Sequence, residues 1–527
     1  MTVSGHFALL LHAHLPFVRH PEHHRHLEEQ WLFEALTDSY LPLLRLLRDA
    51  AARGSHFRFT LSLSPTLLFM LTDPLLRGRY RDYLSRLERL CERAAMDPRA
   101  DSVRRALTRF YAQRLDQLRT FYFDELGGDP IEAWSGLEVG GTVELITTAA
   151  THGYLPLLRS CPSAVRAQLR VARDYFHATF GRVPEGIWLP ECGYFPGLEA
   201  ELEAAGFGYC VLDAHGLQQA MPRPRHGVYA PLSAHGAFAV FGRDPDSARE
   251  VWCPETGYPG HPLYREYHSD LGYDGDADLL EDFLPQGVPA APTGLKYHRV
   301  TGGRGPKETY DPATALARAG LDARAFVARR RRLLASLSFD SRPPIVVAPF
   351  DAELFGHWWF EGPAFLDEVI RCIDAASDIR AVTLGEHLRL HGTAGDARPA
   401  ISSWGERGYN GAWLRPETGW VHLNLHQAAQ ELEDLVARRE RMRDPARAVR
   451  LLRQAARSLL LAQSSDWTFH MGRGAGSEYS EWRLRSQLSR FRLLAAAVRG
   501  GGIREEQLVA MERMDNLFPD LDLSHFR

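Results

Sequence analysis

The residues of this chain best equipped for chemistry stand at the ends of apolar runs. The run PIVVAPF closes on Asp351-Ala352-Glu353 and then on His357-Trp358-Trp359-Phe360. FALLLHAH ends in His12 and His14, VELITTAATHG in Thr151-His152, GIWLPECG in Glu191, YCVLDAHG in Asp213 and His215, and FAVFGRD in Arg243-Asp244. One His or Asp after a strand usually caps a helix or is a satisfied core group. Six such ends in one chain point instead to a shared rim. Carboxylates beside aromatic rings suit glycosidic bond cleavage, in which one carboxylate attacks or stabilises the anomeric carbon and another protonates the leaving oxygen. Trp faces stack on sugar rings while His, Arg and Asp bind hydroxyls. Of the eleven tryptophans, Trp188, Trp252, Trp358, Trp359, Trp404, Trp413 and Trp467 lie near these ends or in the C-terminal part.

Other chemistries fit less well. There is no Walker A loop, and no GxGxxG follows a strand, which sets aside phosphoryl transfer and dinucleotide redox. Cys192 beside Glu191 has no neighbouring His or Lys in sequence to activate a thiolate. In HAH, His12 and His14 share one strand face and with Asp213 or Asp351 would make a His/His/Asp metal site of the polysaccharide deacetylase kind. The same imidazoles serve equally as donors to sugar hydroxyls. Glu353, two residues from Asp351, is a rival for the acid on the same face. A non-catalytic glucan-binding module is a third reading.

The elements that must position these residues are short apolar runs over 7–14, 57–65, 143–153, 186–193, 209–216, 238–244, 345–353 and 381–387. Unbroken apolarity marks strands covered on both faces, and seven or eight of them favour a β/α barrel over an open sheet. In such a barrel the C-terminal strand ends form one rim, which gathers the polar residues above. A Leu/Arg-rich stretch over about 75–125 has helical periodicity and reads as a helical insertion. After HGTAGDARPA (391–400) amphipathic helices take over. The expected organisation is a catalytic barrel over 1–395 and a C-terminal helical domain over 402–527.

Composition sets the outer bounds. The 527 residues are 45% apolar and 24% charged with a net charge of −4, which gives no attraction to nucleic acid or an anionic membrane. The opening segment MTVSGHFALLLHAHLPF lacks a charged n-region, and no stretch approaches a membrane span. The expectation is a cytoplasmic protein. Six cysteines without CxxC spacing argue against a disulfide framework or a thiolate zinc site. No cofactor and no metal are expected.

Taken together, HAHLPF (12–17), ELITTAATHGYLPLL (144–158), GIWLPECGY (186–194), PFDAELFGHWWFEGP (349–363) and SSWGERGY…W (402–413) resemble glycoside hydrolase family 57 and, within it, the 1,4-α-glucan branching subgroup. FGRDPDSAREVW…GYPG (241–260), SSDW (464–467) and MDNLFP (514–519) extend the likeness over about residues 7–519. The resemblance implies an incomplete (β/α)7 TIM-like barrel with helical additions and a retaining mechanism. On the matching positions Glu191 is implied as nucleophile and Asp351 as general acid/base. His12, His14, His152, Arg243, Trp252, Gly260, Trp404, Trp413 and Asp466 are implied as glucan-binding positions, and Trp358 of HWWF as part of the sugar-contacting wall. A retaining pair should stand about 5–5.5 Å apart.

The implied activity is transfer of an α-1,4-glucan chain to a 6-hydroxyl, which forms an α-1,6 branch in glycogen-type metabolism; the alternative is α-amylase-like hydrolysis. One departure bears on that choice. Branching members carry a longer loop with a tyrosine at its tip after the strand matching YCVLDAH, whereas LQQAMPRPRHGVYAPL (217–232) is short and its one tyrosine, Tyr229, does not match the tip. A missing lid would admit water.

Overall fold

The computed structural model describes residues 3–253, 256–302, 306–337, 339, 342–474 and 476–527. Its centre is a sheet of nine strands: β1 (Gly5–Ala13), β2 (Phe59–Leu63), β3 (Val143–Thr148), β4 (Gly186–Trp188), β5 (Tyr209–Leu212), β6 (Leu232–His235), β7 (Phe238–Gly242), β8 (Ile345–Asp351) and β9 (Ile379–Ala381). The order β7-β5-β4-β3-β2-β1-β8 is parallel throughout. A lone parallel bridge from Arg243 to Val347 joins the end of β7 to β8. The ring of seven strands is thus closed by a single bridge, the incomplete (β/α)7 barrel expected from sequence. Each strand from β1 to β5 is buried along essentially its whole length, which explains why the runs carry no polar alternation.

Two strand readings change. The run 381–387 is only β9 at its start; Thr383 caps a helix, Leu384–His391, by accepting from the Glu386 N–H at 3.0 Å. The antiparallel strand β6 has a half-exposed pattern and was invisible as an apolar run. β9 pairs with the first residues of β1, on the side where β2 pairs further along.

The stretch 75–125 is helical as expected: Pro74–Met96 and Ser102–Thr120 begin with Asp73 and Asp101 as N-caps, and a π-helical turn, Phe121–Glu125, follows. Between β1 and β2 lies a second π-helical turn, Leu36–Tyr40. After residue 418 come the helices Gly419–Arg438, Pro445–Ala462, Ser465–His470 and Ser477–Val498. These helices share one hydrophobic core with β1, β2 and the insertion.

The loop after β8 is fixed by a close approach. Gly356 has φ +122°, and a Cβ there would lie 1.8 Å from the Asp38 carbonyl oxygen. Any other side chain meets both a left-handed backbone penalty and a backbone clash. Gly356→Ala is expected to lower stability by about 3 kcal/mol, read as a shift of the urea unfolding midpoint. A midpoint within experimental error of wild type would show that the loop 352–359 is not held this way.

Candidate active site

The strand ends deliver one contiguous polar cluster. His12 lies near the end of β1 and His14 just beyond it; Glu191 follows β4 in the turn Pro190–Cys192; Asp351 is the last residue of β8. Three non-glycine residues here have left-handed backbones: His152 at φ 57°, Glu191 at 62° and Cys192 at 51°. Such conformations cost about 1–2 kcal/mol each and persist only where surroundings enforce them. They reverse the chain straight after β3 and β4, so that Glu191 meets segments arriving from the C-terminal part.

Those segments hold both carboxylate oxygens of Glu191. The Trp404 indole N–H donates to Oε2 at 2.7 Å, and the Ser465 hydroxyl donates to Oε1 at 3.1 Å. The backbone repeats the clasp, since the Trp404 N–H donates to the Glu191 carbonyl at 3.0 Å and the Ser465 N–H to the His152 carbonyl at 3.0 Å. Because the single Ser465 proton points at Glu191, its oxygen must accept from His152 Nδ1, 2.8 Å away. His152 Nε2 is then an acceptor for His12 Nε2–H at 3.0 Å, and His12 Nδ1 faces the Ser62 hydroxyl at 3.1 Å. Counting donors thus assigns both tautomers. Burial, with neighbouring histidines, pushes His12 and His152 well below the ordinary imidazole range, so the row is neutral at pH 7 and ends on the carboxylate.

The carboxylates differ in electrostatics. Burial lifts Glu191 to about 7; the Trp404 hydrogen bond opposes this and the charge of Asp351 adds to it. Asp351 is raised well above its ordinary value by burial and by Glu353, with Arg243 pulling the other way. Glu353 rises to about 7, again by burial, against the Tyr40 hydrogen bond. Asp466 goes the other way: burial raises it, but His14 at 3.1 Å and the Ser464 hydroxyl at 2.5 Å outweigh that and hold it well below the carboxylate range. In this coupled set Asp351, Glu191 and Glu353 are all raised, each chiefly by burial. The Asp351 charge is one of the influences that raise Glu191, so protonation of Asp351 favours ionised Glu191, although burial still opposes it.

Glu353 and Asp351 do not share a face. The strand ends at Asp351, and Ala352–Leu354 is a 3-10 turn, which breaks the two-residue alternation. The Glu353 carboxylate accepts from the Tyr40 hydroxyl and, at 3.1 Å, from the His14 N–H. It is committed to fixing the ends of β1 and β8.

Residues 8–271 match the model of glycosyl hydrolase family 57, and residues 424–526 match that of the 1,4-alpha-glucan branching enzyme C-terminal domain. A 1,4-alpha-glucan branching enzyme of Thermococcus kodakarensis is 30% identical over 98% of this chain and 78% of its own length. The chain belongs to glycosyl hydrolase family 57. The crystal structure of the α-amylase AmyC of Thermotoga maritima superimposes with a TM-score of 0.91 at 34% identity, covering 99% of both chains. That of a family 57-type branching enzyme of Pyrococcus horikoshii does so at 0.88 and 32%, covering 99% of this chain and 97% of the other.

The remaining positions of this family 57 chain divide into two groups. Arg243 donates to Asp213 at 3.2 Å and lies over the Trp404 ring at 5.4 Å, so it belongs with Glu191. Asp213 also holds His215 at 3.0 Å, and His215 reaches the Gly408 carbonyl at 2.9 Å, which braces the Trp404 loop. Trp252 and Trp358 form a separate aromatic pair 5.6 Å apart, with Trp358 37% exposed and offering a free face. Gly260 is the exposed last residue of the turn Tyr258–Gly260, whose half-buried Tyr258 stacks on Trp359 at 6.0 Å. Trp413 is 1% exposed and stacked on Tyr154 at 4.2 Å; it supports the Trp404 loop from behind and presents no open face.

The alternative His/His/Asp metal site is not assembled from His12 and His14 with Asp213 or Asp351. His12 is turned to His152 and Ser62, His14 to Asp466, and Asp213 to Arg243 and His215. His14, His152 and Asp466 do lie within 4.8 Å of one another. The His14 and His152 rings, however, stack at 3.8 Å with planes only 13° apart. In-plane lone pairs of stacked rings run side by side and do not converge on one ion.

Sequence reasoning missed Ser465, Ser62 and Tyr40. Ser465 sat inside the quoted SSDW; Tyr40 gave only a π-helical turn, a frequent mark of function that no sequence pattern announces.

Two measurements check the electrostatics. Trp404→Phe removes a donor that favours ionised Glu191, so the acidic limb of the kcat/KM profile is expected to move to higher pH, with activity down about 10–100-fold. An unmoved acidic limb would detach Trp404 from Glu191. Glu353→Gln keeps an acceptor for Tyr40 but removes a charge that raises Asp351; the alkaline limb is expected to move to lower pH. A shift upward, or none, would contradict the coupling.

Proposed function

We propose that this chain is a 1,4-α-glucan branching enzyme, a retaining transglycosylase that cleaves an α-1,4 bond and passes the chain to a 6-hydroxyl. What carries the reading is the pair of buried, electrostatically coupled acids, Glu191 and Asp351, inside a site that the branching-type C-terminal region completes. Glu191 attacks the anomeric carbon and forms a β-linked glycosyl-enzyme while Asp351 gives its proton to the departing oxygen. Asp351, now a base, takes the proton of the acceptor hydroxyl as its oxygen displaces Glu191. Oxyanion-like charge returning to Glu191 meets the two donors already in place. His12, His14, His152, Arg243 and Asp466 bind glucan hydroxyls, Trp404 stands against the reacting sugar, and Trp252 with Trp358 offers a more distant stacking platform. Gly260 lies beside that platform on the Trp359 side.

In this reading a catalytic unit over 1–395 and a C-terminal unit over 402–527 share the cleft, and the substrate is a glycogen- or amylose-like glucan. No described helix is long and apolar enough to cross a membrane. Six free cysteines suit the reducing cytoplasm, where we place the protein.

Hydrolysis is the second reading, favoured by one observation. Met221 pairs with Arg398 through backbone hydrogen bonds of 3.0 and 2.9 Å, so the short loop lies along the interdomain segment. The Tyr229 carbonyl accepts from the Ile345 N–H at 2.9 Å, at the start of β8, while its hydroxyl faces Asp244 at 3.4 Å. No tyrosine of this loop is placed as a lid, and AmyC, whose fold matches, is an α-amylase.

Amylose incubated with the purified protein and then debranched decides between them. New α-1,6 linkages with few new reducing ends are expected; accumulating reducing ends without branches would transfer the assignment to hydrolysis. Glu191→Gln is expected to lower either activity by at least about 10³-fold with an unchanged circular dichroism spectrum; near-normal turnover would remove Glu191 as the nucleophile.

A further inference from the structure

At the end of the barrel opposite Glu191, three histidines meet that play no part in the glucan site. His6 is the second residue of β1; His387 and His391 lie one turn apart on the helix Leu384–His391. Ring nitrogens of all three fall within 4.8 Å of one another. His6 Nδ1 and His387 Nδ1 face each other at 2.9 Å. His6 and His387 are 4% and 1% exposed and His391 is half-buried, so the cluster has one open side.

We propose that His6, His387 and His391 bind a divalent transition-metal ion of the zinc class, which clamps the first strand of the barrel to its last helix. The i, i+4 spacing puts two imidazoles on one helix face, and the strand supplies the third. Ring planes cross at 83° for His6 with His387 and at 53° for the other two pairs. Unlike the stacked rings beside Glu191, crossed rings can direct lone pairs at one point. Zinc–nitrogen bonds of about 2.0–2.1 Å place tetrahedral ligands roughly 3.3 Å apart, so the 2.9 Å pair needs to open by only a few tenths of an ångström. The open side at His391 leaves the fourth position to water.

A purely structural trio fits less well. One hydrogen bond, between His6 and His387, is the only side-chain bond joining the three rings among the described residues, whereas a shared ion would give each ring a bond of its own. Two cations, Arg380 and Arg342, act on the cluster. Arg380 is engaged by Glu386, and Arg342 by the Thr393 carbonyl. Their charges oppose a dication, which sets the expected affinity in the micromolar range rather than that of a Cys-rich site.

The test is titration of Zn²⁺ into tag-free, chelator-treated full-length protein, followed by calorimetry and thermal unfolding, with Co²⁺ as a visible-absorption probe of the ligand field. One ion per chain, a raised unfolding midpoint and Co²⁺ d–d bands are expected in wild type. In His391→Ala, whose partly exposed side chain can be cut without opening the core, affinity is expected to fall by about 10-fold or more. No binding at a tenfold excess of Zn²⁺ would overturn the proposal. So would binding that survives His391→Ala but is lost in His14→Ala, which would put the ion beside Glu191.

Discussion

A carboxylate placed in a pocket away from bulk water must be met by donors or it will keep its proton. At Glu191 the neighbouring strand ends do not supply the donors, because the one N–H of neutral His152 is spent on Ser465 and that of neutral His12 on His152. Trp404 and Ser465 supply them, from segments separated from Glu191 by 213 and 274 residues. Much of the architecture follows from this requirement. The linker after β9 must run back across the rim, the C-terminal helices must pack on the same core as β1 and β2, and the backbone at His152 and Glu191 must hold left-handed conformations to receive them.

The second constraint is the difference between two neighbouring acids. Asp351 ends its strand under the combined influence of burial and the Glu353 charge, whereas Glu353 is tied to Tyr40 and the His14 backbone. That tie gives Glu353 a double part: it welds β1 to β8 at the rim, and its charge raises the proton affinity of Asp351. Asp466, kept ionised by His14 and Ser464, adds a fixed negative charge on the other side. An oxocarbenium-like sugar would pass between groups of the sign it needs. In the proposed mechanism water and a sugar hydroxyl use the same acid and base, so the choice between branching and hydrolysis rests there on what covers the cleft and not on its floor.

Much of this was legible in the sequence, for a physical reason. Strands buried on both faces must be continuously apolar, and polar residues that end such runs have no other place to gather than the C-terminal rim of a parallel barrel. Seven strands and the convergence of His12, His152, Glu191, Arg243 and Asp351 follow from that rule, while the helical insertion and the helices after residue 418 show in their amphipathic periodicity. β6 escaped because a half-exposed antiparallel strand has no such run, and 383–387 misled because the apolar residues of a short capped helix resemble a strand.

What the chain could not reveal in one dimension is which polar residue faces which. Residues two apart predict a shared face for Asp351 and Glu353, yet a 3-10 turn beginning at Ala352 separates them. His12 and His14 look like a pair of ligands, yet each is claimed by a partner more than a hundred residues away. Trp413 reads like a sugar platform and is sealed against Tyr154, while Ser465 and Tyr40 are ordinary until the fold brings them to a carboxylate. Residue type and hydrophobic pattern are local properties and determined the scaffold and its inventory of acids, imidazoles and rings. Donor–acceptor pairing and burial depend on distances between remote segments, and only the tertiary structure decided those.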